Sequence, residues 1–265
     1  MNFKILCSDL DGTLLSTKND VSEFTISQIN RIKHRTRVIL VSARMPKSIT
    51  YLQKRMGIEE HPIISYNGAL ILEKGKVLHN TTIPIAKTLA LHTICMDQNI
   101  RLGLYRHDDW FVSETSERVE KEIFNTKVKP TFEPTQITLK KWQNENLGVH
   151  KIMLMGSKEN IDGLSLILDT DFSSEMNSYR SNDTLIEIAP KSSSKLSGIK
   201  SILKPEETLK EVIAFGDNYN DVEMLRSVGF GVAVSNARKE AKEAANKVTL
   251  SNKEHGVAQF IKDHL

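Results

Sequence analysis

The chain has 265 residues, 39% of them apolar and 26% charged, with a net charge of +3. That length allows one or two domains. The composition excludes collagen-like, coiled-coil and wholly disordered classes, and the basic residues form no block of the kind that binds nucleic acid.

In chain order, Phe3 to Cys7 is a short apolar run ending in polar residues, predicted as a buried strand. Ile26, Ile29 and Ile32 recur at near-helical spacing within Val21 to His34. Arg37 to Val41 (RVILV) is β-branched and suits a central strand of a parallel sheet covered on both faces. Pro46 is expected as the first residue of a helix running through Ile49, Leu52 and Met56. Pro62 to Tyr66 is predicted as a third strand. Ala69 to Leu72 and Lys76 to Leu78, joined around Gly75, are predicted as a hairpin.

The middle of the chain changes style. Helical runs at Ala86 to Gln98 and Ser116 to Phe124 mix with two predicted hairpins. One turns at Arg106 to Asp109 and the other at Arg180 to Asp183. Strand–helix alternation then returns. Lys195 to Leu203 is a predicted helix, Glu211 to Phe215 (EVIAF) a strand, and a helix passes through Val222 and Leu225. Gly229 to Val234 is a strand, Arg238 to Asn246 a helix, Val248 to Leu250 a strand and Val257 to Leu265 a last helix. The expectation is α/β: a doubly wound, Rossmann-like parallel sheet built from residues 1–83 and 188–265, with an inserted α+β domain at 84–187.

Asp9-Leu10-Asp11-Gly12-Thr13-Leu14 directly follows the first strand. Residues two apart on a strand share a face, so Asp9 and Asp11 are expected to point to one spot at the carboxyl end of the sheet. Gly12 permits a sharp turn. Two carboxylates at one spot need a cation or a shared proton, and a hard, oxygen-seeking ion such as Mg²⁺ meets that need. Taken blandly, the run is an Asx-turn with a helix cap. Ser42-Ala43-Arg44 follows RVILV, where a hydroxyl at a strand end can bond a phosphate oxygen or simply make a turn. Gly216-Asp217-Asn218-Tyr219-Asn220-Asp221 follows EVIAF, placing Asp217 at another strand end, with Asn220 and Asp221 at the start of the next helix. Helix capping there is compatible with metal binding.

With Lys195 after Lys191-Ser192-Ser193-Ser194, these motifs stand in the order of the haloacid dehalogenase superfamily. The chain resembles it over essentially the whole length, and most of all its Cof-type branch (class IIB, large α/β cap) of sugar-phosphate and related phosphatases. The resemblance implies a Mg²⁺-dependent phosphatase of small phosphorylated metabolites working through an aspartyl-phosphate. Asp9 would be the nucleophile and Asp11 the acid and base. Mg²⁺ would be held by Asp9, the main-chain carbonyl of Asp11 and Asp217. Ser42, Ala43 and Lys195 would hold the phosphate, with Gly12, Thr13, Arg44, Asn67, Asn220 and Asp221 supporting and the insertion closing as a lid.

The chain departs from the family pattern in two places. Ser42-Ala43 stands where Thr-Gly is usual, and Leu196 follows the lysine where Gly is usual. Lys191 is the second candidate for the lysine role. Asn67-Gly68-Ala69 matches a family turn near the substrate and equally a tight turn opening a hairpin. Asn252 to Val257 resembles a family loop near the metal, with His255 in place of the commoner Asp, so no role is carried over. A phosphomutase or phosphotransferase using the same nucleophile, and a non-catalytic metabolite-binding protein on this fold, are the alternatives.

The remaining residues are expected to be structural. The eight histidines show no HxH or HExxH spacing. Cys7 and Cys95 follow no CxxC pattern, as expected in a reducing cytoplasm. Cys7 is expected in the core, and Trp110 and Trp142 as packing residues of the insertion. No apolar run is long enough for a membrane span, and MNFKILCSDLDG lacks the features of a secretory leader. A monomer or small homo-oligomer is expected.

Overall fold

The structure, a computed structural model, describes residues 3–17 and 19–265. The first two residues of the N-terminal run lie outside the described residues. The chain divides into two compact units, one of residues 1–79 and 194–265, the other of residues 80–193.

The first unit begins with β1 (Ile5–Ser8), α1 (Glu23–Ile32), β2 (Arg37–Val41), α2 (Pro46–Met56), β3 (Ile63–Ser65), β4 (Leu70–Glu73) and β5 (Lys76–Asn80). Pro46 opens α2 as its first residue, and Gly57 closes it in the left-handed region at φ 62°. The second unit contains α3 (Ile85–Asp97), β6 (Arg101–Arg106), β7 (Asp109–Val112), α4 (Glu117–Thr126), β8 (Thr131–Phe132) and α5 (Thr135–Asn144). It continues with β9 (Lys151–Met155), α6 (Lys158–Ile167), β10 (Met176–Asn182) and β11 (Leu185–Pro190). The chain then returns to the first unit with α7 (Lys195–Ile202), β12 (Val212–Gly216), α8 (Val222–Ser227), β13 (Phe230–Val234), α9 (Lys239–Ala244), β14 (Lys247–Thr249) and α10 (Gly256–His264).

The sheet of the first unit runs β14-β13-β12-β1-β2-β3-β4-β5. Its pairings from β14 to β3 are parallel, and β3 to β4 is antiparallel. β1 lies in the middle because its run is apolar on both faces. Leu6 joins one buried cluster with Ile29, Leu52 and Phe260, while Ile5 and Cys7 join another with Ile199 and Met224. Helices therefore cover both faces, which is what a parallel sheet requires. Strand order reverses on either side of β1, and the strand ends there are where open α/β sheets place a site.

The sheet of the second unit runs β10-β11-β9-β6-β7-β8, antiparallel apart from β7 to β8. One face, with Leu104, Ile152 and Leu154, packs on Leu91 of α3, Trp142 of α5 and Leu164 of α6. On the other face Lys151 Nζ donates to Glu187 Oε1 at 3.0 Å and lies 4.4 Å from the Tyr105 ring centroid. Trp142 meets Phe111 edge-on at 5.5 Å, and Trp110 stacks on Tyr105 at 5.3 Å, so both tryptophans pack. The hairpin turns are tighter than the sequence indicates. Arg106 pairs with Asp109, and Asn182 with Leu185 after a bulge, because polar residues extend the strands.

Candidate active site

β1 delivers Asp9. The Asp9 amide still donates to Phe215 O of β12 at 3.0 Å, which ties its backbone to the sheet. Its side chain is buried. The chain turns at Gly12 with φ +87°, and a Cβ there would stand 2.6 Å from Asp217 Oδ2. Only glycine permits both the turn and that approach. β12 is the parallel neighbour of β1 and ends at Gly216, so Asp217 emerges beside Asp9. Thr13 Oγ1 fixes it by donating to Asp217 Oδ1 at 2.7 Å.

Lys195 opens α7 behind a capping box formed by Ser194 and Ser197. Its ammonium is buried and donates to Asp9 Oδ1 at 2.6 Å and to Asp221 Oδ1 at 2.5 Å. Asp221 Oδ2 accepts from the amides of Asp217 and Asn218, both at 3.0 Å. Asp221 opens α8 without a side-chain cap of that helix, so the capping reading fails there; one oxygen instead closes the preceding turn, while the other anchors the lysine. Lys191, the alternative lysine, is exposed.

The turn between β3 and β4 packs on the start of α7. A Cβ on Gly68 would lie 2.2 Å from Ser194 O, and one on Gly198 would lie 3.2 Å from Gly68 Cα. Gly198 makes this close approach, and Leu196 is simply buried. Tyr66, Asn67 and Gly68 all have positive φ, so the connection is longer than a two-residue Asn-Gly turn. Asn67 Oδ1 accepts from Asn220 Nδ2 at 3.0 Å.

Asp9, Asp217 and Asp221 each offer an oxygen within 4.8 Å of the others. Burial is the largest influence on Asp9 and pushes its carboxyl well above the ordinary range. Lys195 pulls it back, and Asp221 and Asp217 push it further up. Burial likewise raises Asp217, to about 6, with Asp221 adding repulsion and the Thr13 hydrogen bond opposing. For Lys195 burial acts to lower the pKa, but Asp221 and Asp9 outweigh it and raise the value. Three carboxylates thus crowd one ammonium, and the surplus negative charge calls for a cation or protons. The donor set is all oxygen, which suits a hard divalent ion such as Mg²⁺. Asp221 has both oxygens engaged, so Asp9 and Asp217 are the better ligands.

Asp11 departs from the expected geometry. It lies outside this carboxylate cluster, its side chain 46% exposed, and both of its oxygens face Arg44. The reason is local: β1 stops at Ser8, and the following residues form turns, so strand alternation does not carry from Asp9 to Asp11. Ser42 is buried, and its Oγ accepts from the Arg44 amide at 3.2 Å, which leaves the hydroxyl proton to be donated. Ala43 is not among the positive-φ residues, so the loop needs no glycine there.

Two asparagines beyond the expected set complete the surroundings. Asn236 Nδ2 donates to Gly12 O, Asn252 Nδ2 donates to Leu15 O, and the Asn252 amide donates to Asn236 Oδ1, each at 2.8 Å. Both Nδ2 groups target backbone carbonyls far away in sequence, so no local pattern announces Asn236, whereas Asn252 stands in the loop that resembles the family's loop near the metal. His255 instead meets Phe24 edge-on at 6.0 Å.

The haloacid dehalogenase-like hydrolase family model matches residues 6–261. The chain belongs to the haloacid dehalogenase-like hydrolases. A 5-amino-6-(5-phospho-D-ribitylamino)uracil phosphatase of Bacillus subtilis is 28% identical, with 98% of this chain and 97% of that protein covered. A pyridoxal phosphate phosphatase of Escherichia coli is 26% identical over the full length of both chains, 100% of each. Among solved structures, a haloacid dehalogenase-like hydrolase of Bacteroides thetaiotaomicron superposes with a TM-score of 0.89 at 27% identity, covering 99% of this chain and 100% of its own. The protein is a phosphoric monoester hydrolase of this family. No helix among the described residues is long and apolar enough to cross a membrane.

Proposed function

We propose that the protein hydrolyses small phosphorylated metabolites, sugar phosphates foremost, through a phosphoryl group carried on Asp9 and with Mg²⁺ as cofactor. The observation that carries this reading is the buried Asp9 carboxylate at a strand end, with one oxygen held by Lys195 and Asp217 beside it. An Asp9 oxygen attacks phosphorus, and the bond from phosphorus to the leaving oxygen breaks. Asp11 gives that oxygen its proton. Asp11 then takes a proton from the water that attacks the aspartyl-phosphate, releasing phosphate and restoring Asp9. Lys195 and the Ser42 hydroxyl hold the phosphoryl oxygens, where charge shifts in the transition state. Mg²⁺, held by Asp9, Asp217 and the main-chain carbonyl of Asp11, would offset the negative charge of nucleophile and phosphate.

Asp9→Asn is expected to cut hydrolysis of p-nitrophenyl phosphate by roughly 10³-fold or more while the circular dichroism spectrum stays unchanged. Acid-quenched wild type is expected to carry a phosphoryl adduct on the peptide containing Asp9. EDTA should silence turnover and Mg²⁺ restore it. A near-normal rate for Asp9→Asn would refute the nucleophile. Free phosphate is the expected product across a panel of sugar phosphates, and transfer to an added sugar would reassign the enzyme as a phosphotransferase.

A further inference from the structure

We propose that Arg44 is the positioning residue of the Asp11 carboxylate, and that it acts on bond cleavage through the leaving group rather than on phosphate binding. This rests on the reading of Asp11 as the group that protonates the leaving oxygen. Arg44 Nη2 donates to Asp11 Oδ1 at 2.6 Å and Nε to Asp11 Oδ2 at 2.7 Å, a fork-to-fork pair. The two partners differ in burial: the Arg44 side chain is 5% exposed and that of Asp11 46%.

The buried partner is the fixed one. The Arg44 amide donates to Ser42 Oγ at 3.2 Å, and its carbonyl accepts from the Tyr66 amide at 3.2 Å. Nη1 donates to Ser48 Oγ of α2, also at 3.2 Å. A guanidinium held at backbone and tip presents a rigid plane to a carboxylate on a turn. A bidentate fork fixes that carboxylate in orientation as well as position, which an ammonium cannot do.

The pairing does not use up Asp11. A carboxylate has about four lone-pair sites, and the fork takes one from each oxygen, leaving others for a proton in transit. Stability alone does not ask for the carboxylate partner to stand half-exposed, where solvent screening weakens the pair. Placement of a reacting group, in contrast, controls rates by up to about 10²-fold per ångström. A buried arginine committed to an exposed carboxylate next to the nucleophile therefore matches a positioning role better than a stabilising one.

The test is a leaving-group comparison. p-Nitrophenolate departs without protonation, whereas an alkoxide does not, so loss of a placed acid falls on alkyl phosphates. Because Asp11 also serves the later hydrolysis of the aspartyl-phosphate, which is common to all esters, Asp11→Asn, Arg44→Gln and the double variant are assayed in single turnover with enzyme in excess, following release of p-nitrophenolate from p-nitrophenyl phosphate and of alcohol from an alkyl phosphate. Arg44→Gln is expected to slow single-turnover release of the alcohol by roughly 10- to 100-fold and of p-nitrophenolate by less than about threefold, with KM little changed. The double variant should be no slower on the alkyl ester than Asp11→Asn, since Arg44 acts only through Asp11. Arg44→Lys keeps the charge but not the fork and should retain the alkyl-specific defect. Ser48→Ala, a milder change that guards against misfolding, should show a smaller defect of the same bias. Equal losses on both esters, additivity in the double variant, or full activity of Arg44→Lys would overturn the positioning role while leaving Asp11 its own. If Asp11→Asn slows single-turnover release of both leaving groups equally, the reading of Asp11 as the acid fails, and this inference fails with it.

Discussion

Asp217 is drawn in two directions by its neighbours. Its carboxyl, raised to about 6 chiefly by burial, keeps a proton at a pH where an ordinary aspartate at 3.8 has lost it. Between those values the folded chain binds the proton more tightly than the unfolded chain. Stability contributed by this group is therefore full below pH 4 and falls as the pH rises to 6. At about 1.4 kcal/mol per pH unit, the loss is up to about 3 kcal/mol. Asp217→Asn removes the effect, so the metal-free variant should melt higher than metal-free wild type at pH 7, and the two should converge near pH 4. A divalent cation competes with that proton. Mg²⁺ should thus raise the melting temperature of wild type most at neutral pH, with the gain shrinking below pH 6 and absent in Asp217→Asn. A Mg²⁺ shift that is flat with pH would separate the cation from Asp217. The same burial explains Lys195: an unpaired ammonium at its position would cost several kcal/mol, and Asp9 and Asp221 together offset that cost.

At the scale of elements, helix starts carry different amounts of signal. α2 is legible from Pro46, and α7 from the serine run that supplies its cap. α5 is not: it starts after Pro134 with no side-chain cap, and Ile137 on it is 55% exposed, which blurs its apolar face. α6 has a clear cap at Ser157 but carries Gly163 in its interior, which weakens the pattern. A Cβ at Gly163 would meet nothing within 4 Å. Gly163→Ala is accordingly expected to stabilise the second unit by about 0.5–1 kcal/mol, read as a higher melting temperature, and a lower one would show that α6 needs the glycine. β9 is the element hardest to see, because its first residue is a lysine. Lys151 can be buried in the sheet because Glu187, Glu122 and the Tyr105 ring receive it, partners that spacing cannot reveal. Motif order locates Asp9, Lys195 and Asp217, since each follows a strand or opens a helix. It says nothing about which way Asp11 turns, because that depends on where β1 stops. It also misses Asn236, which acts on the Gly12 carbonyl, and finds Asn252 only through the likeness of its loop, without the bond to Leu15.

The whole molecule has separate cores. The buried clusters that sandwich the β1 sheet draw only on the first unit, and the one beneath β9 lies within residues 83–188. A fragment of residues 80–193 is therefore expected to fold by itself, giving a helical and sheet-rich circular dichroism spectrum and a cooperative thermal transition. A broad, non-cooperative melt would mean that its core is completed elsewhere. The first unit has no such independence in time. β1 pairs with β2 soon after it is made, but its other edge waits for Val212, which pairs with Ile5. As the chain leaves the ribosome, the middle strand of the sheet stays bare on one side, and Asp9 lacks its lysine, until the second unit has been synthesised. Closing so distant a contact is slow, and an open strand edge recruits other chains in the meantime. Any product terminated before Val212 is thus a sticky half-sheet, and the natural order of synthesis makes the insertion a delay built into the birth of the active enzyme.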